Sequence, residues 1–188
     1  AGVTTNAVAV ESLIGPTDPW LPAGAIETTG NNVDAYLDVA GADGFTAGDI
    51  RGAITAAGQF LPDWSHTNSS QDATVRQSKA VHMFFYNNWL HDIWYPRGFD
   101  EVWRNAQTDN YGRGGVASDS LLAEGQDVSG TDNANMSTPA DGSKPRMQMY
   151  TWSGQTPRRV DYLAGVVLPS GPRDQLTAQS CRRPSVIG

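Results

Sequence analysis

The longest patterned segment of this chain is residues 72–95, which read DATVRQSKAVHMFFYNNWLHDIWY. One set of apolar residues recurs every four positions and so shares one face of an α-helix: Val81, Phe85, Trp89 and Ile93. A second apolar stripe lies beside it: Tyr86, Leu90 and Trp94. Because this apolar arc is wider than a surface helix needs, the pattern predicts one long helix over about 72–95, buried on more than one side.

Both ends of this segment carry boundary signals. Ser69, Ser70 and Asp72 are candidate N-caps, because a short polar side chain can accept a hydrogen bond from the first turn of a helix. Pro96 followed by Gly98 is expected to end the helix, since proline lacks an N–H and glycine adopts the left-handed conformation easily.

A narrow polar stripe runs along the same helix: Asn87, Asn88, His91 and Asp92. Buried polar groups need partners, so this stripe predicts hydrogen bonds to neighbouring loops. The alternative is a metal-binding or catalytic histidine. His82 lies on a different helix face from His91, and His66 lies in a loop rich in serine and asparagine. We therefore favour the structural role for His91.

The segments before and after the helix are predicted to be irregular or to form β-strands. Residues 1–30 contain a short apolar run at 7–10 and then several prolines, which predicts a short strand and an irregular N-terminal segment. Beyond residue 100, strands are predicted over 120–124, 133–136 and 147–152. Strands that follow one long helix favour an α+β fold with an antiparallel or mixed sheet. Residues 153–188, with one predicted strand over 163–168, are interpreted as a linker, a flap or the start of an inserted domain.

Composition is typical of a globular protein and argues against nucleic-acid binding. The 188 residues are 39% apolar and 18% charged, and the net charge of −7 lacks the basic surplus that phosphate contacts need. No apolar run is long enough to span a membrane. Cys181 is the only cysteine, which excludes an internal disulfide, and its flanks show no signature of a thiol nucleophile. Any signal peptide is expected upstream of residue 1 or already removed.

Four aspartates lie in the stretch 31–49, which is rich in Asn, Asp and Gly: Asp34, Asp38, Asp43 and Asp49. Their carboxylates are of the type that calcium prefers, but their spacing does not match the EF-hand loop. Clusters of Asp and Gly are also typical of turns. We favour plain turns and keep calcium as the alternative.

Three groups of motifs stand out between residues 30 and 152. The first is NNVDAY at 31–36, and the second is NNWLHDIWY at 87–95 with GFDE at 98–101. The third starts with NYGRGGV at 110–116 and runs through LAE at 122–124, QD at 126–127, SGT at 129–131, NAN at 133–135, TP at 138–139, DG at 141–142 and PRMQMYTW at 145–152. Together they resemble the fungalysin family of secreted zinc endopeptidases. Long motifs in the right order make this resemblance specific.

The resemblance implies a thermolysin-like architecture, in which residues 31–152 form an N-terminal lobe of sheet plus helix. In that family zinc lies between this lobe and a helical C-terminal lobe, held by a His-Glu-x-x-His helix and a later glutamate. The 188 residues contain no His-Glu-x-x-His. The expectation is therefore a secreted endopeptidase for proteins or peptides, with zinc ligands on a catalytic C-terminal lobe of the same precursor or a partner chain. This chain alone is expected to be inactive.

The candidate substrate-binding residues come from the same resemblance. The strand with Asn133, Ala134 and Asn135 is similar to the edge strand that pairs with the extended substrate in thermolysin-like enzymes, and an exposed strand edge offers N–H and C=O groups to a peptide. The alternative is an ordinary edge strand ending in Asx turns. For the whole chain, the alternatives are a non-catalytic secreted binding module with a tryptophan-rich surface and a structural domain with calcium-stabilised loops.

Overall fold

The computed structural model describes residues 8–10, 18–41, 43–56, 59–62, 68–69, 71–153, 166–167 and 176–178. In chain order its strands are β1 (Val8–Val10), β2 (Val33–Leu37), β3 (Ile50–Arg51), β4 (Gln59–Phe60), β5 (Leu121–Thr131), β6 (Ala134–Ser137), β7 (Arg146–Thr151), β8 (Val166–Val167) and β9 (Leu176–Ala178). The helix α1 spans Ala73–Trp94, and a 3₁₀ turn, Tyr95–Arg97, follows it. This arrangement confirms the predicted α+β class.

The helix α1 begins and ends where its sequence signals predict. The Asp72 carboxylate accepts hydrogen bonds from the Thr74 N–H at 2.9 Å and the Val75 N–H at 3.4 Å, which satisfies two donors of the first turn. Gly98 closes the 3₁₀ turn with a left-handed φ of 99°. A bilayer crossing needs about 20 mostly apolar helical residues, and no helix in the described part of the chain meets that requirement.

One broad face of α1 is buried. Its buried positions are both apolar and polar: Val75, Ser78, Ala80, Val81, Phe84, Phe85, Asn88, His91 and Asp92. Two residues of the predicted second stripe face solvent, since Leu90 is 43% and Trp94 54% exposed. Its third residue, Tyr86, is half-buried and packs against the core. The prediction that this stripe is buried is therefore wrong for Leu90 and Trp94.

The five-stranded sheet beside α1 has the order β3-β2-β5-β7-β6. β5 runs parallel to both β2 and β7, and the edge strands β3 and β6 are antiparallel to their neighbours, so the sheet is mixed. The predicted strands over 120–124 and 147–152 are present as β5 and β7. β2 was not predicted as a strand, because its Asn- and Asp-rich surroundings resemble a turn.

Side chains alternate between the two faces of β2. Val33 and Ala35 face α1 and join the hydrophobic core, which also contains Trp20, Phe60, Val81, Phe84, Phe85 and Ala123. Tyr36 points to the opposite face, where its ring meets Phe45 edge-on at 5.3 Å. The sheet is thus covered by α1 on one face and by the loop 38–49 on part of the other.

A second, smaller sheet has the order β1-β9-β8-β4. β4 pairs antiparallel with β8, and β1 pairs antiparallel with β9. The described residues of the strands predicted over 7–10 and 163–168 form β1 and β8, whereas β9 was not predicted. Ser70, His66 and Cys181 lie outside the described residues.

Candidate functional site

The strand β6 forms one edge of the five-stranded sheet, and all four of its residues are exposed. It was predicted over 133–136 and is found one residue later, at Ala134–Ser137. Asn133 therefore lies just before the strand, while Ala134 and Asn135 are its first two residues. The structure brings the three predicted site residues together at an exposed sheet edge.

The backbone N–H and C=O of Ala134 point away from the rest of the sheet. The Tyr150 N–H donates to the Asn133 carbonyl at 3.2 Å, so these two residues form a hydrogen-bonded pair of the antiparallel ladder. Hydrogen-bonded and non-hydrogen-bonded pairs alternate along such a ladder. Ala134, opposite Met149, is therefore a non-hydrogen-bonded position, and its N–H and C=O face the open edge. Met136 repeats this geometry, and no described strand lies on that side.

The side chains along β6 differ in how firmly they are held. The Asn135 amide donates to the Tyr150 hydroxyl at 2.5 Å, a cross-strand bond that fixes its orientation. Asn133 is exposed at the start of the strand. Met136, Met149 and Trp152 are 52%, 41% and 54% exposed and supply apolar surface beside the edge. Open backbone groups with flanking amides and apolar side chains can hold an extended peptide.

His91 belongs to a buried hydrogen-bond network rather than to an open site. Its Nδ1 lies 3.2 Å from the Asp92 carboxylate, and its Nε2 lies 3.2 Å from the Asn105 amide nitrogen. Asp92 also accepts from the Trp20 indole N–H at 2.8 Å. Both ring nitrogens are in use when Nδ1 carries the proton and Nε2 accepts from Asn105. These contacts confirm the predicted hydrogen bonding of His91 and Asp92 to residues outside the helix.

Four carboxylates meet on the sheet face that turns away from α1. We call them the acidic cluster: Asp38, Asp43, Glu124 and Asp127. Each offers one oxygen, and these oxygens all lie within 4.8 Å of one another. Asp38 follows β2, Asp43 lies in the loop 38–49, and the other two residues belong to β5. The cluster is therefore assembled from segments far apart in sequence.

The two remaining aspartates of the stretch 31–49 have other partners. Asp34 binds the Arg51 guanidinium through both oxygens, at 2.8 Å and 2.9 Å. Asp49 accepts hydrogen bonds from the Val39 and Thr46 N–H groups at 2.8 Å and 2.6 Å, and so closes the loop as a turn residue. Of the four residues considered for calcium, only Asp38 and Asp43 lie in a shared carboxylate group.

Burial makes negative charge costly inside the acidic cluster. It raises the pKa of Glu124 to about 7, against the opposing effects of the Tyr36 hydroxyl, which donates at 2.5 Å, and the nearby Arg146 guanidinium. Burial also raises the pKa of Asp38, against the hydrogen bond that the Gly44 N–H donates to its carboxylate. A cation placed beside them would stabilise the ionised form of both carboxyl groups.

The residues present do not fit zinc. Protein zinc sites rely on imidazole and thiolate ligands, which the acidic cluster lacks. His91 is already engaged, and His82 stacks near Tyr86, with ring centroids 4.5 Å apart. Within the described ranges, the acidic cluster is the one group of three or more metal-binding side chains whose ligand atoms converge. Its all-carboxylate donor set suits a harder cation.

Comparison with known proteins gives consistent matches along most of the chain. Residues 7–168 match the family model described as fungalysin metallopeptidase (M36). The chain is 35% identical over 153 residues to the extracellular metalloproteinase MEP of Fusarium vanettenii, covering 79% of this chain and 24% of that protein. It is 36% identical over 165 residues to the protein of the same name from Pyricularia oryzae, covering 81% and 26%. Extracellular metalloproteinase 3 of Trichophyton soudanense is 31% identical over 161 residues, with 80% and 41% covered. The chain thus spans less than half the length of these relatives.

Proposed function

The chain belongs to the fungalysin metallopeptidase family (M36), as its motifs predict, and from this membership we propose that it forms the substrate-cleft lobe of a secreted zinc endopeptidase. The observation that carries the proposal is the exposed edge strand β6. Relatives of this chain are named extracellular metalloproteinases, which supports both peptide-bond hydrolysis and secretion.

In this proposal the substrate adds a strand to β6. The outward N–H and C=O of Ala134 pair with the substrate backbone, and its small side chain lets the peptide approach closely. The amides of Asn133 and Asn135 orient the bound peptide from the two sides of Ala134. Such contacts hold the scissile carbonyl in place, and positioning of this kind contributes several kcal/mol to catalysis.

We propose that the zinc ligands lie on a catalytic C-terminal lobe, either of the same precursor or of a partner chain. When bound there, zinc supplies Lewis-acid chemistry and an activated water. The residues of this chain then bind and orient the substrate. The carboxylate-only acidic cluster and the engaged His91 support this division of roles.

The isolated 188-residue chain is expected to bind zinc no more tightly than micromolar and to leave casein uncleaved. The physical reason is that the one converging group of metal-binding side chains in the described part of the chain, the acidic cluster, consists of carboxylates alone and contains no imidazole or thiolate. Isothermal titration calorimetry and a casein-hydrolysis assay measure both quantities. One tight zinc equivalent that is lost in His91→Ala would contradict the proposed division of roles.

The test of the proposed site is Asn133→Ala in the complete protease. Removing this exposed amide is expected to lower kcat/KM by about tenfold or more, equivalent to at least about 1.4 kcal/mol of transition-state binding, while zinc content stays unchanged. Asn68→Ala, which removes an exposed amide outside β6, serves as the matched control and should leave kcat/KM unchanged. Equal kcat/KM for both variants and the parent enzyme would mean that Asn133 does not contact substrate.

A non-catalytic binding module is the second candidate, and exposed tryptophans favour it. Trp94, Trp103 and Trp152 are 54%, 74% and 54% exposed, and aromatic residues are enriched at protein interfaces. Trp152 also lies beside the edge strand β6, so the test that separates the two candidates uses Trp103. Loss of protein binding on mutation of Trp103, with no effect from changes in β6, would favour the binding module.

A further inference from the structure

We propose that the acidic cluster binds one structural calcium ion on the sheet face opposite α1. The proposal is independent of peptidase activity, because none of its residues belongs to β6. It concerns a different ligand set from the aspartates that the stretch 31–49 alone suggests, since two members come from β5.

The spacing of the carboxylates fits one shared calcium ion. Calcium binds oxygen at about 2.3–2.6 Å, so two oxygens on opposite sides of the ion are about 5 Å apart. The four oxygens offered by the acidic cluster all lie within 4.8 Å of one another. They are therefore close enough to belong to a single coordination sphere.

Two buried oxygens of the cluster lack partners in the described residues. Asp38 Oδ1 and Glu124 Oε2 accept no hydrogen bond, although the two residues are only 1% and 0% exposed. Their other oxygens are engaged, by the Gly44 N–H in one case and by the Tyr36 hydroxyl in the other. Buried carboxylate oxygens are costly when unsatisfied, and a cation between them removes that cost.

An irregularity in β5 brings its two carboxylates to the same place. Residues 124 and 127 are three apart and would point to opposite faces of a regular strand. The pairing with β7 shifts register between Gly125 and Asp127, and Gln126 has a left-handed φ of 48°. This bulge inserts one residue and turns Asp127 to the side of Glu124. Both carboxylates then reach the loop 38–49.

Charge and access also favour a cation. Among the described residues, Arg146 is the one guanidinium that contacts the cluster, through Asp43 and Glu124, so these four carboxylates are opposed there by a single positive side chain. Gln148 donates to Asp43 at 2.9 Å and to Asp127 at 2.6 Å, which orients both carboxylates without adding charge. The Asp43 side chain is 57% exposed, and this leaves an open side by which an ion can enter.

The ligand set selects calcium among common divalent ions. Calcium accepts six to eight oxygens in flexible geometry, and three of the four carboxylates are buried, with Asp43 and water able to complete the shell. Magnesium retains several waters and is usually held by one or two carboxylates. Zinc sites favour nitrogen and sulfur ligands. A group of four carboxylates, three of them buried, therefore matches calcium best.

The test is calcium titration of the 188-residue chain by isothermal titration calorimetry, together with thermal unfolding in EDTA and in calcium. We expect one Ca²⁺ per chain with a Kd of about 10⁻⁴ M or tighter, and weaker binding of Mg²⁺. At 100 times the Kd, the Tm should rise by about 5–10 °C relative to EDTA. Absence of calcium uptake, or an unchanged Tm, would overturn the proposal.

Two variants, each of which replaces one carboxylate by a neutral amide, locate the site. Asp38→Asn and Glu124→Gln keep the shape and the existing hydrogen bonds but remove one carboxylate each, so each should weaken calcium binding at least tenfold. In EDTA both variants should be as stable as the parent chain or more so, because they relieve repulsion within the cluster. Asp132→Asn removes an exposed carboxylate outside the cluster and should leave calcium binding intact. Equal loss of calcium binding in all three variants, or in none, would contradict the assignment.

Discussion

Replacing Phe84 by alanine is expected to lower the free energy of unfolding by about 3–5 kcal/mol, the usual cost of truncating a core aromatic residue. Phe84 is 2% exposed and lies where α1 meets the rest of the core. Its ring centroid is 6.4 Å from that of Phe60, and it lies directly under Gly30, where an added Cβ would approach the ring to 3.0 Å. Because the neighbouring side chains are held in place by close packing, they are not expected to move in and fill the cavity that alanine leaves.

Urea unfolding measures this effect, with Trp94→Ala as the matched control on the same helix. Trp94 is 54% exposed, so its loss should cost less than about 1 kcal/mol. Trp89 is half-buried and should give an intermediate loss. If Trp94→Ala destabilises the chain as much as Phe84→Ala, the assignment of the buried helix face is wrong.

Ala134→Pro in the complete protease is expected to lower kcat/KM about 100-fold while leaving the fold intact. Proline removes the outward N–H of Ala134, and a substrate carbonyl then loses its partner in a buried interface. The ladder with β7 is expected to survive, because its bond at this end runs from the Tyr150 N–H to the Asn133 carbonyl. Proline is tolerated at edge positions whose N–H faces solvent.

The control for this variant is Ala134→Ser, which keeps the backbone N–H and adds little volume. Its kcat/KM should stay within a fewfold of the parent enzyme. Circular dichroism and zinc analysis of both variants establish that fold and metal content are unchanged. A proline variant with full kcat/KM and verified folding would show that the substrate does not pair with this edge, and the cleft would then lie elsewhere.

The sequence predicts the local elements of this fold better than their surroundings. Helix α1 is found within one residue at each end, because its caps and its period of four are local signals. Its buried face is less well predicted, since Leu90 and Trp94 are exposed. The burial of Asn88 and His91 is predicted, but their hydrogen-bond partners, Asn32 and Asn105, are not. Those partners are distant in sequence, so no local pattern identifies them.

The two candidate sites differ in how much of each is predicted from the sequence. The edge strand is predicted over 133–136, and each of its ends lies one residue later in the structure. Two of the four residues of the acidic cluster, Asp38 and Asp43, are calcium candidates from the sequence, because they lie in an acidic loop. Glu124 and Asp127 are not, because they reach this loop only through the pairing of β2 with β5 and through the bulge in β5. The sequence signal that could have identified the cluster is Glu124, a carboxylate in a strand predicted to be buried.

The parallel pairing of β2 with β5 also shapes how the chain folds. Val33 lies opposite Leu121, so the centre of the sheet forms only when the intervening residues have been brought together. Closing so long a loop costs entropy before any contact repays it, and non-local pairings of this kind slow folding. The hairpin of β6 and β7 is closed by a short connection and needs no such search. The β6 edge should therefore form early, as an exposed hairpin that must avoid pairing with other chains until the central strands assemble.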